Sequence, residues 1–232
     1  MKYGIIGAMA DEVAALKALA GAACALRRAS MEFFPGRIGD TEVVIVQSGM
    51  GKVNAGICAQ ILIDAFGVTH IINTGVAGSL RRDVGIGDIV ISTDAVQHDF
   101  DVSPIGFSRA EIPYTGLAAF PADSALRALA VRAARTVAPE IRVFEGRICS
   151  GDQFIADSAR KNAITAAFGG LCAEMEGAAV AQVCHLNGVP FVIIRTVSDE
   201  ADGGSSVSFA EFMAAAAKSS AAITAHVLRH AQ

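Results

Sequence analysis

The sequence predicts an α/β fold in which a central sheet is covered by helices on both faces. Short runs rich in Val and Ile alternate along the chain with Ala-rich helical stretches. Glycines bound the apolar runs, as is typical of strands that are buried on both faces. Hydrophobic residues make up 53% of the 232 residues, which is enough for a large core and excludes a disordered chain.

The same alternation places the elements in order along the chain. Apolar β-branched runs predict strands at 3–7, 42–47, 70–73, 88–95, 141–149 and 190–197. Helical stretches predict helices at 11–20, 53–66, 123–137, 178–186 and 208–228. The first helix carries Asp11 and Glu12 in its first turn, where acidic side chains suit the helix dipole. We expect a turn at 74–78 and a long loop over about 97–120.

No repeat, linker or change of composition divides the sequence. We therefore predict a single domain over residues 1–232, built as a three-layer α/β/α arrangement around a mixed, mostly parallel sheet. The net charge of −4 and the lack of a Lys/Arg cluster exclude nucleic acid as a partner. The Ala-rich C-terminal stretch contains Glu211 and Lys218, so we expect no membrane span.

The cysteines and glycines carry no sign of a disulfide, a metal or a cofactor. The five cysteines are scattered without a Cys-x-x-Cys motif or a secretion signal, so we expect reduced thiols in the core of a cytoplasmic protein. The Gly-Ile-Ile-Gly segment at 4–7 lacks the third glycine of a dinucleotide motif. The Gly-Met-Gly-Lys segment at 49–52 lacks the upstream glycine and the following Ser/Thr of a phosphate-binding loop. The histidines lack metal-ligand spacing, so we predict no cofactor and no metal.

Acidic residues follow predicted strands at three places: Glu12, the Glu-Met-Glu segment at 174–176, and Asp199. Each alone is typical of a helix cap or a solvated loop end. Ligands of open α/β sheets bind at the carboxyl ends of strands, so together the three sites predict a functional cleft. The apolar strand 191–194 leads Asp199 into a dry interior, where a carboxyl is easier to protonate and can act as an acid.

Eight short motifs follow one another over nearly the whole chain. They are Gly-Ile-Ile-Gly-Ala-Met at 4–9 with Glu12, Ser-Gly-Met-Gly-Lys-Val at 48–53, Asn-Thr-Gly-Val-Ala-Gly at 73–78, Gly-Asp at 87–88, Ser-Gly-Asp-Gln-Phe at 150–154, Glu-Met-Glu-Gly at 174–177, Arg-Thr-Val-Ser-Asp at 195–199 and Ser-Phe-Ala-Glu-Phe at 208–212. In this order and spacing the set resembles the 5′-methylthioadenosine/S-adenosylhomocysteine nucleosidases of the nucleoside phosphorylase-I superfamily.

The resemblance implies hydrolysis of the N-glycosidic bond of a 5′-thio-substituted adenosine through a ribosyl oxocarbenium-like state. It implies that Asp199 protonates N7 of the purine and that Ser198 helps to hold Asp199. Glu12 would be the general base that activates the attacking water, with Arg195 nearby. Glu176 would bind the ribose 2′- and 3′-hydroxyls, leaving negative charge beside the developing cation. The expected partners are therefore a small nucleoside and water.

The resemblance also implies a set of substrate-binding residues besides Glu176. They are Met9, Met50, Val76, Ala77, Gly78, Phe154, Ile155, Glu174, Met175 and Phe209. Phe154 would stack on adenine, and backbone groups of Phe154 and Ile155 would bind its edge. Met9, Met50 and Phe209 would form the apolar pocket for the 5′-alkylthio group, where flexible Met suits tails of different size.

The family completes its active site across a dimer interface, so we expect a homodimer. The loop that carries Ile105, Phe107 and Pro113 corresponds to the part that reaches into the neighbouring subunit. The sequence departs from the best-known members at Val76, where many have Ser, at Ile105, which replaces an aromatic residue, and at Phe107, where Tyr is common. These departures alter the outline of the 5′-pocket.

Three alternatives accompany this interpretation. Related phosphorylases place a Gly-rich, Arg-bearing turn after the first strand, whereas residues 7–12 here read Gly-Ala-Met-Ala-Asp-Glu, and a glutamate beside the nucleophile would repel phosphate. The segments 76–79 and 150–154 resemble the epsilonproteobacterial members, which also cleave 6-amino-6-deoxyfutalosine. A catalytically silent nucleoside-binding protein would lack Glu12 or Asp199, and both are present.

Overall fold

The computed structural model describes residues 1–21, 24–200 and 206–231, with the side chains of 206–212 outside the described part. The described strands are β1 (Lys2–Gly7), β2 (Leu26–Arg28), β3 (Met31–Ile38), β4 (Thr41–Gln47), β5 (His70–Ser79), β6 (Ile89–Gln97), β7 (Ala119–Pro121), β8 (Val143–Ser150), β9 (Cys172–Glu174) and β10 (Phe191–Asp199). The described α-helices are α1 (Ala10–Leu19), α2 (Lys52–Phe66), α3 (Ser124–Val137), α4 (Ser158–Phe168), α5 (Gly177–Asn187) and α6 (Ser206–His230).

The strands form one mixed sheet. β1 lies between β4 and β5 and is parallel to both, and β5 is also parallel to β10. The pairs β6–β8 and β8–β9 are parallel, whereas β2–β3, β3–β4, β5–β9, β6–β7 and β6–β10 are antiparallel. Because β10 pairs with both β5 and β6, the strands β5, β9, β8, β6 and β10 close into a ring.

The helices cover the sheet on two sides. Helices α1 and α3 pack against α6 on one side, and α2 packs against α5 on the other. Alternate residues of β1 show the two layers, because Ile5 belongs to the core cluster with Ile223 of α6 while Ile6 belongs to the cluster with Leu62 of α2. The three-layer α/β/α arrangement is the one that the sequence predicts.

The predicted turn at 74–78 is wrong, because β5 continues through it as far as Ser79. The continuation is paired with β10, from Thr74 opposite Ile194 to Gly78 opposite Asp199. Glycines at 75 and 78 suggested a turn, but both lie within a paired strand.

Several short or polar elements escape the sequence prediction. Strand β3 contains Pro35 and Gly36 and pairs with β2 at the edge of the sheet, where such residues are tolerated. Helix α4 has only two large apolar residues, Ile164 and Phe168, although Asp157 is a clear N-cap whose side chain accepts a hydrogen bond from the Arg160 N–H at 2.9 Å. Strand β9 has three residues, too few for a periodic pattern.

The structure differs in part from what the sequence predicts for the cysteines and for the long loop. All five cysteines are free thiols, but Cys24 is exposed rather than packed in the core, because it lies in the segment between α1 and β2. The predicted loop at 97–120 contains a 3₁₀ helix over Ser103–Ile105 and the beginning of β7. Among the helices of the described ranges, none combines the length and the apolar character needed to cross a membrane.

Candidate active site

An open cavity of about 600 Å³ lies beyond the carboxyl ends of six strands. It is lined by Ala8, Met9, Glu12, Met50, Val76, Ala77, Gly78, Gln153, Phe154, Ile155, Ala173, Glu174, Met175, Glu176, Ser198 and Asp199. This edge of an α/β sheet is where ligands bind.

The structure brings most of the predicted site residues to this cavity. Of the lining residues, only Ala8, Gln153 and Ala173 were not predicted from the sequence. Arg195 is buried behind the cavity wall, where it bonds to Glu174. The predicted loop residues Ile105, Phe107 and Pro113 are not among the lining residues, and the side chain of Phe209 lies outside the described part of the chain.

Glu12 is held at the cavity wall by backbone N–H groups from two segments. Its Oε2 accepts hydrogen bonds from the N–H of Ala8 at 2.6 Å and of Met9 at 2.9 Å, and its Oε1 accepts one from the N–H of Val76 at 3.1 Å. The Val76 N–H is free to donate because β1 stops pairing with β5 at Asn73. Burial raises the pKa of Glu12, while Arg195 and these N–H groups oppose the rise. Glu12 is therefore a fixed carboxylate with enhanced basicity.

Two glycines of β5 make room for the carboxylates. A Cβ at Gly75 would overlap Oε1 of Glu12, and a Cβ at Gly78 would lie 2.8 Å from Oδ2 of Asp199. Neither glycine needs a positive φ, so close approach rather than chain reversal explains them.

Arg195 and Glu174 form a buried ion pair beneath the cavity. Nη2 of Arg195 donates to Oε2 of Glu174 at 2.5 Å and to Oδ1 of Asn73 at 2.6 Å, and Arg195 is 2% exposed. Glu174 also accepts hydrogen bonds from the Gly177 N–H at 2.8 Å and from the Ser150 hydroxyl. Burial lowers the pKa of Arg195, but the charges of the surrounding carboxylates outweigh this and raise it. Arg195 thus stays a cation that offsets the buried negative charge.

Glu176 precedes helix α5 and faces the same cavity. Its Oε1 accepts a hydrogen bond from the Gly51 N–H at 2.8 Å. Burial and the negative charge of Glu174 raise the pKa of Glu176 to about 7, although Arg195 and the Gly51 N–H act in the opposite direction. Glu176 therefore changes its protonation near neutral pH.

Asp199 has a cationic partner that sequence reasoning missed. Oδ2 of Asp199 accepts a hydrogen bond from Nζ of Lys161 at 2.8 Å, and Oδ1 accepts one from the Ser198 hydroxyl at 3.2 Å. Lys161 lies on α4 and is 1% exposed. The predicted dry, apolar surroundings of Asp199 thus include an ammonium group. The Asp157 N-cap was a signal for α4, but no sequence pattern links Lys161 to Asp199.

The mouth of the cavity is apolar, whereas its floor is acidic. Phe154 is 60% exposed and Met50 is 62% exposed at the opening, while Ile155 is buried beneath them. Gln153 is fixed by a hydrogen bond from Nη2 of Arg160 at 2.6 Å. An exposed aromatic ring can hold a flat heterocycle by stacking, and carboxylates can accept hydrogen bonds from hydroxyl groups of the same ligand.

The three-layer fold and the carboxylates in its cavity define a candidate enzyme that acts on a small molecule, and comparison with known proteins specifies the family. Residues 2–229 match the phosphorylase superfamily. The chain is 44% identical over 221 residues to the 5′-methylthioadenosine/S-adenosylhomocysteine nucleosidase of Actinobacillus succinogenes. The aligned region covers 95% of each protein.

Two solved structures are closely similar. The nucleosidase of the same name from Neisseria meningitidis, in complex with methylthio-immucillin-A, has a TM-score of 0.94 and 37% identity over 98% of each chain. The futalosine hydrolase of Helicobacter pylori strain 26695 has a TM-score of 0.91 and 34% identity, covering 98% of this chain and 97% of its own.

The chain belongs to the phosphorylase superfamily and, within it, to the 5′-methylthioadenosine/S-adenosylhomocysteine nucleosidase family. This membership confirms the resemblance carried by the eight motifs. It also confirms the predicted fold class and the predicted class of enzyme.

Proposed function

We propose that this chain hydrolyses the N-glycosidic bond of 5′-methylthioadenosine and S-adenosylhomocysteine, and also of 5′-deoxyadenosine, releasing adenine and the 5-substituted ribose. The observation that carries the proposal is the presence of Glu12, Glu176 and Asp199 in the wall of one cavity. Family membership and the inhibitor complex of the Neisseria meningitidis relative support it.

Charge development in the reaction explains why three carboxylates are needed. As the bond between C1′ and N9 breaks, the ribose becomes positive and its electron pair passes to the purine. Glu12 takes a proton from the water that attacks C1′, and Asp199 delivers a proton to N7 of the purine. Carboxylates around the ribose stabilise the cation. The N–H groups that bind Glu12 hold its carboxylate in place, so the carboxylate does not have to reorient during the reaction.

The cavity wall also suits each part of the nucleoside. Glu176 accepts the ribose 2′- and 3′-hydroxyls in this proposal, because an ionised carboxylate binds two hydroxyls strongly. The ring of Phe154 stacks on adenine, and Ile155 lies at the edge of the base. Met9 and Met50 contact the 5′-substituent, and their flexible thioethers accept tails of different size.

The charges around the cavity favour water over phosphate as the nucleophile. Among the described residues that line the cavity, none is Lys or Arg. The nearby cations Arg195 and Lys161 are both engaged with carboxylates. A phosphate dianion beside Glu12 would therefore meet repulsion without a compensating cation, whereas water needs a base.

A second substrate has a specific observation in its favour. The similar Helicobacter pylori structure is a futalosine hydrolase, so 6-amino-6-deoxyfutalosine is a candidate substrate of the same cavity. The exposed position of Met50 at the mouth leaves space for a larger 5′-group. A competition assay, scored by adenine release, ranks the four candidate substrates. They are 5′-methylthioadenosine, S-adenosylhomocysteine, 5′-deoxyadenosine and 6-amino-6-deoxyfutalosine.

The experiment that tests the main proposal measures adenine release from 5′-methylthioadenosine by the purified chain. We expect turnover in phosphate-free buffer and no acceleration when phosphate is added. Turnover that requires phosphate would establish a phosphorylase instead. Tight binding of intact substrate without any adenine release would establish a binding protein.

We also propose that the chain works as a homodimer. Ile105 is 73% exposed and Tyr114 is fully exposed on the loop that also holds Phe107 and Pro113, and large exposed apolar side chains grouped on one loop are typical of an interface. Light scattering on the purified chain should give twice the mass of one chain at micromolar concentration. A single-chain mass under those conditions would contradict the dimer.

Replacing Asp199 with Asn should abolish turnover, with a loss of at least about 100-fold in kcat, because an amide cannot deliver a proton. The Asn side chain keeps an oxygen that can accept the hydrogen bond from Lys161, so we expect the variant to fold. Adenine release and thermal unfolding check both points. Near-normal kcat in a folded Asp199→Asn variant would remove Asp199 from the acid role.

Replacing Glu12 with Gln should preserve substrate binding and lose hydrolysis, since an amide cannot accept the proton of water. Its NH₂ group must face at least one backbone donor, so we also expect a loss of about 1 kcal/mol in the free energy of unfolding. Binding of a non-cleavable analogue and single-turnover adenine release separate the effects. Weakened binding with an unchanged rate per bound molecule would argue against a base.

Nucleoside binding should weaken as the pH falls below about 7, because Glu176, whose pKa is raised to about 7, then takes up a proton. If the ionised form alone binds the ribose, affinity for a non-cleavable nucleoside should be about tenfold lower at pH 6 than at pH 8. Calorimetry measures this step. Adenine and the Glu176→Gln variant serve as controls, and the same step in either control would assign it to another group.

A further inference from the structure

Lys161 is a buried cation that the mechanism above leaves unexplained. Its Nζ donates to Oδ2 of Asp199 at 2.8 Å and to the backbone oxygen of Glu200 at 2.5 Å, and the residue is 1% exposed. Removing an ammonium group from water is costly unless partners replace the solvent. A lysine buried at that cost lies where it can act on Asp199.

The pairing creates a difficulty for an acid. An ammonium group at hydrogen-bond distance favours the ionised form of a carboxyl group, and an ionised carboxylate has no proton to give. The neighbouring Ser198 hydroxyl donates a hydrogen bond to Oδ1 of Asp199, but a hydroxyl group is a far weaker acid than an ammonium group. The N–H of Lys161 that points at Oδ2 is therefore the donor from which this pair can transfer a proton.

We propose that Lys161 is a positioning residue that holds Asp199 and supplies the proton which Asp199 passes to the leaving purine. The inference rests on the proposed hydrolysis. As the C1′–N9 bond breaks and its electron pair enters the purine, Nζ transfers a proton to Oδ2 of Asp199, and the carboxyl group then delivers this same proton to N7. Lys161 is left as a neutral amine and Asp199 as a carboxylate. Solvent reprotonates the amine after product release.

Helix α4 connects the Lys161–Asp199 pair to the loop that contains Phe154 and Ile155, against which we propose that the purine binds. The helix begins directly after the N-cap Asp157, two residues beyond Ile155 in the cavity wall. Ile155 and Ile164 belong to the same core cluster, so the loop and the helix that carries Lys161 are packed together. Binding of a purine against this loop would therefore affect α4, the helix that positions Lys161.

Two variants distinguish a proton source from a simple support. Lys161→Arg keeps a cation beside Asp199, but a guanidinium does not give up its proton at any working pH. Lys161→Met removes the cation, so Asp199 can take its own proton from solvent at mildly acidic pH. We expect kcat for 5′-methylthioadenosine at pH 6 to fall about 100-fold in the Arg variant and clearly less in the Met variant, with KM little changed in both.

The pH profile adds a readout that a structural role would not change. In the Met variant, kcat should decline with rising pH earlier than in the wild type, because an unpaired Asp199 is the group that loses the proton. The other titratable groups that surround the pair and the cavity are Glu12, Cys172, Glu174, Glu176 and Arg195. These groups are common to wild type and variants, so the difference between profiles isolates Lys161.

Two results would overturn the inference. One is an Arg variant with kcat close to wild type, and the other is a Met variant that binds adenine but stays inactive at pH 6. If neither variant folds, the wild type decides, since its kcat should persist through neutral pH, whereas a decline over about pH 4–6 would indicate an isolated aspartic acid. A wild type that releases no adenine would refute the proposed function itself, which is a separate outcome.

Discussion

The buried Arg195–Glu174 pair is the interaction on which the rest of the site depends. Glu12, Glu174 and Glu176 all raise the pKa of Arg195, which means that one guanidinium interacts electrostatically with three carboxyl groups. Burying such charges without a cation would cost several kcal/mol per ion. Arg195 also bonds to Asn73 of β5, whose amide donates to the backbone oxygen of Ile6. The charge balance is thereby tied to β1, β5 and β10.

The two buried cations suit different tasks. Arg195 lies with Glu174 near Glu12, where a constant charge is useful because a guanidinium is never deprotonated. Lys161 lies against Asp199, where an amine that can lose its proton is the more useful partner. One cavity can support both a base and an acid when the surroundings of the two groups shift their pKa values in different directions. The site thus separates a fixed charge from an exchangeable proton.

Apolar runs in the sequence predict the layers, and the family resemblance carried by the eight motifs implies nearly all of the cavity wall. The sequence prediction fails at β5, where Gly75 and Gly78 look like turn residues although they leave space for side chains from α1 and β10. It also misses α4, whose weak apolar pattern hides a helix that carries Lys161. Both failures concern contacts between residues far apart in sequence, which local periodicity does not encode.

The pairing of β5 with β10 sets the distance between Glu12, the proposed base, and Asp199, the proposed acid. Glu12 lies against Gly75 and Asp199 lies opposite Gly78, three positions further along the same strand. At about 3.3 Å per residue, the two carboxylates meet β5 at points roughly 10 Å apart. The register shift between Val197 and Asp199 alters the strand just before the proposed acid, as bulges beside active sites do. A base and an acid at this spacing can act on opposite sides of one sugar–purine bond, so the pairing of β5 with β10 positions both groups for the proposed reaction.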